Sequence, residues 1–203
     1  MRSQFIDSII AHQDAFGIGL DDDQVRKLAD YYELIHKNNE LLHLVGPCTP
    51  DEFAVRHILE SLILLAHLPF AGKFADVGAG GGLPSIPCLL VRKGLSGLLI
   101  ESKEKKAIFL QMAVDSLGLS GRVEVVNRQF SEIDPADCSA VTCRALDKFT
   151  DRLPRLIKWS GPRQMLFFGG NNLIEALTKH HLEFETRHIP LSEQRFVLIS
   201  RAG

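Results

Sequence analysis

The chain has 203 residues, 45% of them hydrophobic and 24% charged, which is enough for one sizeable core. Its formal net charge of -2 excludes a strongly basic, non-specific nucleic-acid binder but leaves room for a local basic patch. No apolar run approaches the length of a membrane span, the opening Met1-Arg2-Ser3-Gln4 is not a signal peptide, and Cys48, Cys88, Cys138 and Cys143 form no metal-binding pattern, so the four read as reduced thiols of a cytoplasmic protein.

Phe5, Ile6, Ile9 and Ile10 recur at helical spacing and predict a helix over 3–16, stopped by Gly17 and Gly19. Asp21 to Asp23 offer an N-cap to a second helix with Val25, Leu28, Tyr32, Ile35, Asn39 and Leu42 along one face. Thr49-Pro50-Asp51-Glu52 is a capping box with Pro at the first helical position. The helix it opens carries Phe53, Ile58, Leu62 and Leu65 and ends near Leu68-Pro69. These three helices are expected as a helical extension, residues 1–70, on a core at 71–203, the whole forming a single domain.

Beyond that point strands and helices alternate. Strands are predicted at 73–77, 97–101, 121–126, 139–143, 163–168, 182–189 and 194–200, with helices at 84–92, 103–117, 147–159 and 171–180. Only Pro190 to Glu193 join the last two strands, so these should form an antiparallel hairpin. The expected fold is α/β, with a seven-stranded, mostly parallel, Rossmann-like sheet. The terminal hairpin matches the nucleoside-binding methyltransferase fold; a dehydrogenase sheet would end without it.

The organising stretch is Asp76-Val77-Gly78-Ala79-Gly80-Gly81-Gly82-Leu83-Pro84, set between the first core strand and the helix after it. Glycines there let the backbone turn tightly and approach a ligand closely. The spacing Gly78-x-Gly80-x-Gly82 is not the GxGxxG of dinucleotide enzymes. The next strand ends in Glu101, a carboxylate placed to accept hydrogen bonds from both ribose hydroxyls of a nucleoside. Gly78, Glu101, Asn127-Arg128 and Arg144 all fall at strand ends, where open sheets of this kind bind ligands. A tight turn followed by a solvated acid is the plain alternative.

Val55-Arg56-His57-Ile58-Leu59-Glu60-Ser61-Leu62, the loop Asp76 to Pro87, Glu101-Ser102-Lys103-Glu104-Lys105-Lys106 with Phe109-Leu110, and Cys143-Arg144-Ala145 occur in this order. With them the chain, from about residue 30 to its end, resembles the ribosomal RNA small subunit methyltransferase G family, also called glucose-inhibited division protein B. The resemblance implies a bacterial cytoplasmic class I methyltransferase with S-adenosylmethionine as cofactor. It also implies methyl transfer to N7 of a guanine in 16S ribosomal RNA, free or in the small subunit, by a monomer without metal or membrane.

Residue by residue, the resemblance makes Gly78 and Leu83 cofactor contacts, with Gly80 and Gly82 giving backbone access. Glu101 becomes the ribose acid, Gln129 and Phe130 the pair framing the adenine, and Arg144 a cofactor contact and the catalytic group. Three positions depart from the family pattern. Gln129-Phe130 stands for Ala-Glu or Val-Glu, His43-Leu44-Val45 for Asn-Leu-Thr, and Gly169-Gly170 for a Lys-Gly that ends the fifth strand.

Guanine N7 carries a lone pair and no proton, so its methylation requires no general base, and positioning and electrostatics suffice. No Ser/His/Asp, Cys/His or paired-carboxylate constellation with interpretable spacing is found, and Cys143-Arg144-Ala145-Leu146 replaces the motif of N6-adenine methyltransferases. Arg56 and Arg128 are candidate RNA-binding residues, and His57 lies beside Arg56 in the capped helix. Lys103, Lys148 and Arg152 complete an expected basic rim. A structural Arg144 would instead be expected to pair with Asp76 or Glu101. Two other functions stay open: a small-molecule methyltransferase on the same fold, and a non-catalytic nucleoside- or RNA-binding relative.

Overall fold

The computed structural model describes residues 1–135, 137–144 and 149–200. Its order is α1 (Arg2–His12), α2 (Asp22–Leu42), α3 (Pro50–Phe53), α4 (Glu60–Leu62), β1 (Gly72–Val77), α5 (Ser85–Val91), β2 (Leu95–Ile100), α6 (Glu104–Ser116), β3 (Val123–Val126), β4 (Ala140–Arg144), α7 (Phe149–Ser160), β5 (Gln164–Gly169), α8 (Asn171–Lys179), β6 (Phe184–His188) and β7 (Phe196–Ser200). One seven-stranded sheet runs β3-β2-β1-β4-β5-β7-β6, with β7 antiparallel to both of its neighbours. The expected fold class is therefore the observed one.

Pleating divides the strand side chains between two cores. Phe74 and Leu99 face the first, which also takes Phe5, Leu28, Ile58, Leu62, Ile86 and Leu110 from the helices of that side. Ala75, Val77, Leu98 and Ile100 face the second, with Leu153 and Leu156 of α7 and Leu173 and Leu177 of α8. Burial on both faces explains why these strands read as continuous apolar runs.

The first 66 residues cover one sheet face and are joined by aromatic contacts. Phe5 stacks on Tyr32 at 4.7 Å, and Phe53 tilts against Tyr32 at 5.1 Å. The predicted capping box of Thr49 with Glu52 forms, and the Asp21 N-cap proves to be part of a second one, with Gln24. The helix expected from residue 50 to 68 is not regular, however. α3 passes into a π-helical turn, Ala54–Leu59, then α4, then a 3-10 turn, Ile63–Ala66. Nothing in the apolar spacing announced this, because its apolar residues remain on the core side. Arg92 closes the far end, donating to the main-chain oxygens of Leu65, Leu68 and Pro69.

The terminal hairpin is present, but its connection runs from 189 to 195 and is longer than expected. It folds back on itself: Ile189 N–H donates to Arg195 O at 2.9 Å, and the Ser192 hydroxyl donates to Ile189 O at 2.7 Å. Ile189, 1% exposed, anchors the turn in the first core.

Candidate active site

The glycine loop follows β1 and needs its glycines. Gly78, Gly80 and Gly82 have φ of 73°, 56° and 94°, in the left-handed region that L side chains avoid. At Gly82 space is a second reason, since a Cβ there would lie 2.4 Å from Ile86 Cδ1. Main-chain bonds fix the turn: Gly78 N–H and Ala79 N–H both donate to Ile100 O, at 2.9 and 3.1 Å. Tyr31 of α2, fully buried, donates its hydroxyl to Gly81 O at 2.8 Å and so ties the helical extension to the loop.

Glu101 closes the other side. Its Oε2 accepts from Gly80 N–H at 2.9 Å and its Oε1 from Lys103 N–H at 2.7 Å. The side chain of Asn127 donates to Glu101 O at 2.8 Å, steadying the end of β2 from β3. A carboxylate accepts about four hydrogen bonds, so with one on each oxygen Glu101 keeps acceptor capacity for two hydroxyls.

Between loop and acid lies a cavity of about 310 Å³. Gly78, Ala79, Gly80, Gly81 and Leu83 form its floor, and Glu101, Ser102, Lys103 and Lys106 one wall. Leu44, Val45 and Gly46 form a second wall, and His57, Arg144 and Arg152 a third. The left-handed glycine turn, the half-used carboxylate and the cavity's size together fit a nucleoside cofactor such as S-adenosylmethionine.

The Leu44–Gly46 wall was not foreseen. His43 sits at φ 48°, turning the chain back over the glycine loop. Asn39 holds the returning segment with two bonds, donating to Val45 O at 3.0 Å and accepting from Val45 N–H at 2.9 Å. Lys106 donates to His43 O at 3.1 Å from α6. The Asn39-to-Val45 spacing was the only sequence signal for this clamp.

Under the loop, Asp76 is 0% exposed. Its Oδ2 accepts from the Ser85 hydroxyl at 2.6 Å, and its Oδ1 has no partner. Burial pushes its pKa up to about 7, against the pull of the Ser85 hydrogen bonds. His57 goes the other way. Burial and the charges of Arg144, Arg195 and Arg56 lower its pKa to about 3, so its ring is neutral, and its Nδ1 is buried without a partner.

Arg144 lines the cavity, but its ion-pair partner is neither Asp76 nor Glu101. Its Nη2 lies 3.2 Å from Glu60 Oε2 and donates to Arg56 O at 2.6 Å, while Nη1 donates to Ser61 Oγ at 3.3 Å. Its guanidinium carbon stands 5.3 Å from the centre of the Phe168 ring. The π-helical turn brings the Arg56 carbonyl, Glu60 and Ser61 together at the end of β4, which explains the change of partner. Sequence reasoning missed Glu60 as a member of this site.

The remaining candidates lie off the cavity lining. Arg56 is exposed and pairs with Glu52 at 3.4 Å, while its neighbour His57 lines the cavity. Arg128 and Gln129 are exposed beyond β3. Phe130 is 6% exposed and meets Trp159 edge-on at 5.6 Å in the second core. Gly82 shapes the turn from behind. Of the expected basic rim, Lys103, Arg144 and Arg152 line the cavity, joined by Lys106, while Lys148, like Ala145 of the strand-end motif, falls outside the described residues. Among the described residues no group of three or more His, Cys, Asp or Glu could hold a metal ion, and no helix is long and apolar enough to cross a membrane.

Comparisons with known proteins bear on the fold and the family. Among solved structures the chain resembles the mitomycin 7-O-methyltransferase, with a TM-score of 0.62 at 19% identity, over 85% of this chain and 60% of that one. That likeness concerns the fold. Ribosomal RNA small subunit methyltransferase G of Sodalis glossinidius is 34% identical over 73% of this chain and 70% of its own length. The protein of the same name from an Azoarcus species is 35% identical over 68% and 65%. The chain thus spans about two thirds of these relatives' length. The family model described as rRNA small subunit methyltransferase G matches residues 24–196, and the chain belongs to that family.

Proposed function

We propose that this protein transfers a methyl group from S-adenosylmethionine to N7 of a guanine in 16S small-subunit ribosomal RNA, in the cytoplasm. The carrying observation is that the glycine loop and Glu101 meet Arg144 and the neutral His57 across one cavity. When bound, the cofactor supplies an electrophilic methyl group on a sulfonium. Gly78, Gly80 and Leu83 receive it, Gly82 makes the turn possible, and Glu101 holds the ribose. Gln129, exposed after β3, is assigned the outer edge of the adenine end, with Phe130 beside it in sequence and buried in the second core. Arg144 stands at the transfer point, with Arg56 and Arg128 placed further out for RNA. Because Leu44, Val45, Gly46 and His57 line the cavity, residues 1–70 and 71–203 are inferred to work as one methyltransferase domain.

N7 is the acceptor that best suits this lining. Asp76 has a base-like pKa but is sealed under the loop and bonded to Ser85. His57 is too weak a base to take a proton near neutrality. An acceptor with a free lone pair and no proton to lose needs neither. A second reading, a small-molecule substrate, is favoured by Gly169. A Cβ there would meet Leu173 at 2.5 Å, so a side chain of the family's lysine type has no room at the end of β5. The deciding experiment offers labelled S-adenosylmethionine with unmodified small-subunit rRNA, unrelated RNA, or no RNA. Label in the small-subunit rRNA alone is expected; label in none of the RNAs would overturn the proposal.

A further inference from the structure

The pairing at Glu60 goes further than holding Arg144. Glu60 is 1% exposed, yet two arginines converge on it. Arg144 Nη2 is 3.2 Å from Oε2, and Arg195 Nη2 is 2.8 Å from Oε1, close enough for an ion pair though not aligned as a hydrogen bond. Arg195 stands just before β7, whose Phe196 is in register with Gly169 of β5. The terminal hairpin therefore delivers a cation to the β5 end, where the chain carries no lysine.

The charges do not balance. Two guanidiniums share one carboxylate, and no other carboxylate within ion-pair distance of either is seen among the described residues. Asp76, which acts on Arg144 from a distance, is turned to Ser85 and held toward its acid form. His57 is neutral. Among the described residues one positive charge is left over, and a buried or half-buried charge calls for a partner. Arg144 spends three of an arginine's five N–H donors on Arg56, Ser61 and Glu60. Arg195 has Glu60 as its ion-pair partner, and 35% of its side chain is exposed.

We propose that Glu60 gathers Arg144 and Arg195 into a seat for one backbone phosphate of the RNA substrate, beside the cofactor cavity. The seat rests on the rRNA reading above. The ligand is a phosphodiester and not the cofactor's carboxylate, because Arg195 does not line the cavity and is partly exposed outside it. A planar guanidinium pair matches phosphate geometry. Glu60 is the positioning residue: without it two like charges would share one pocket and separate.

The test measures binding of unmodified small-subunit rRNA across a salt titration, S-adenosylmethionine binding by calorimetry, and methylation kinetics on the full chain. Arg195→Gln leaves a neutral Glu60–Arg144 pair, so the fold should survive. It is expected to lower the slope of log affinity against log salt by about 0.7, one single-strand phosphate. The rRNA KM should rise roughly tenfold, as for loss of a charged hydrogen bond, with cofactor affinity changed by less than about twofold. Glu60→Gln adds one net positive charge, so a bulk-charge effect would tighten RNA binding. The seat predicts weaker binding instead, with partial recovery in Glu60→Asp. An unchanged salt slope in Arg195→Gln, loss of cofactor binding in place of RNA binding, or tighter RNA binding by Glu60→Gln would overturn the seat while the rRNA activity stands. A wild type that neither binds nor methylates the rRNA overturns both.

Discussion

Glu101 shows how one side chain can brace a loop and keep capacity for a ligand. It braces Gly80 and Lys103 through their N–H groups and still has acceptor positions for ribose hydroxyls. Glu101→Ala should weaken S-adenosylmethionine binding about ten- to hundredfold, the size of a lost hydrogen bond to a charged group, as read by calorimetry. An unchanged affinity would remove Glu101 from the cofactor site. Its place beside the loop was legible because it depends on local order, a strand end a fixed distance after a glycine loop. Arg144 was only half legible. Its place at the end of β4 followed from the apolar run before it, but its partner Glu60 is 84 residues away in sequence. Neither pattern nor spacing pairs two residues across such a gap; only the fold does.

At the scale of elements, strands and helices were read close to their observed bounds, because buried parallel strands and capped amphipathic helices leave strong patterns. The π-helical turn at Ala54–Leu59 was not read, since Phe53, Ala54, Ile58, Leu59 and Leu62 all stay on the core side through it. That turn brings the Arg56 carbonyl, His57 and Glu60 to the site, and such turns concentrate at functional positions. The segment is launched by the Thr49 capping box, whose hydroxyl accepts from Glu52 N–H at 3.2 Å. Thr49→Ala should cost about 1 kcal/mol in urea denaturation. Because the same segment presents His57 and Glu60, a modest fall in methylation should accompany that loss. A variant as stable as the wild type would show that α3 does not depend on its cap. The fold over the glycine loop at Leu44–Gly46 was likewise not foreseen, because it rests on the left-handed His43 and on the side chain of Asn39 bonding its own neighbourhood.

Across the whole molecule, two buried groups give opposite pH responses. Asp76 is raised to about 7 in the folded state, so its contribution to stability is complete below the usual carboxylate range and is lost as pH climbs through 7. His57 is lowered to about 3, so its contribution is complete above pH 6.5 and is lost as pH falls toward 3. Between about pH 4 and 6.5 the two should largely cancel. Chemical denaturation at several pH values separates them. Relative to wild type, Asp76→Asn should gain in stability as pH rises from 4 to 7, and His57→Gln should gain as pH falls from 6.5 toward 4. Parallel stability curves for all three proteins would contradict these assignments.

A net charge of -2 also demands that RNA affinity come from a few grouped cations. Lys103, Lys106, Arg144 and Arg152 around the cavity, with Arg195 beside Glu60, supply that grouping. The central claim is that this acidic protein methylates a guanine of small-subunit rRNA at a nitrogen that needs no base. Its most direct test is to incubate the protein with S-adenosylmethionine and unmodified small-subunit rRNA, then map the product by reduction and aniline cleavage, which breaks RNA at N7-methylguanine. The account predicts a single new cleavage at one guanine, strongly reduced by Arg144→Ala; methyl transfer with no new cleavage, or transfer only to a free small molecule, would contradict it.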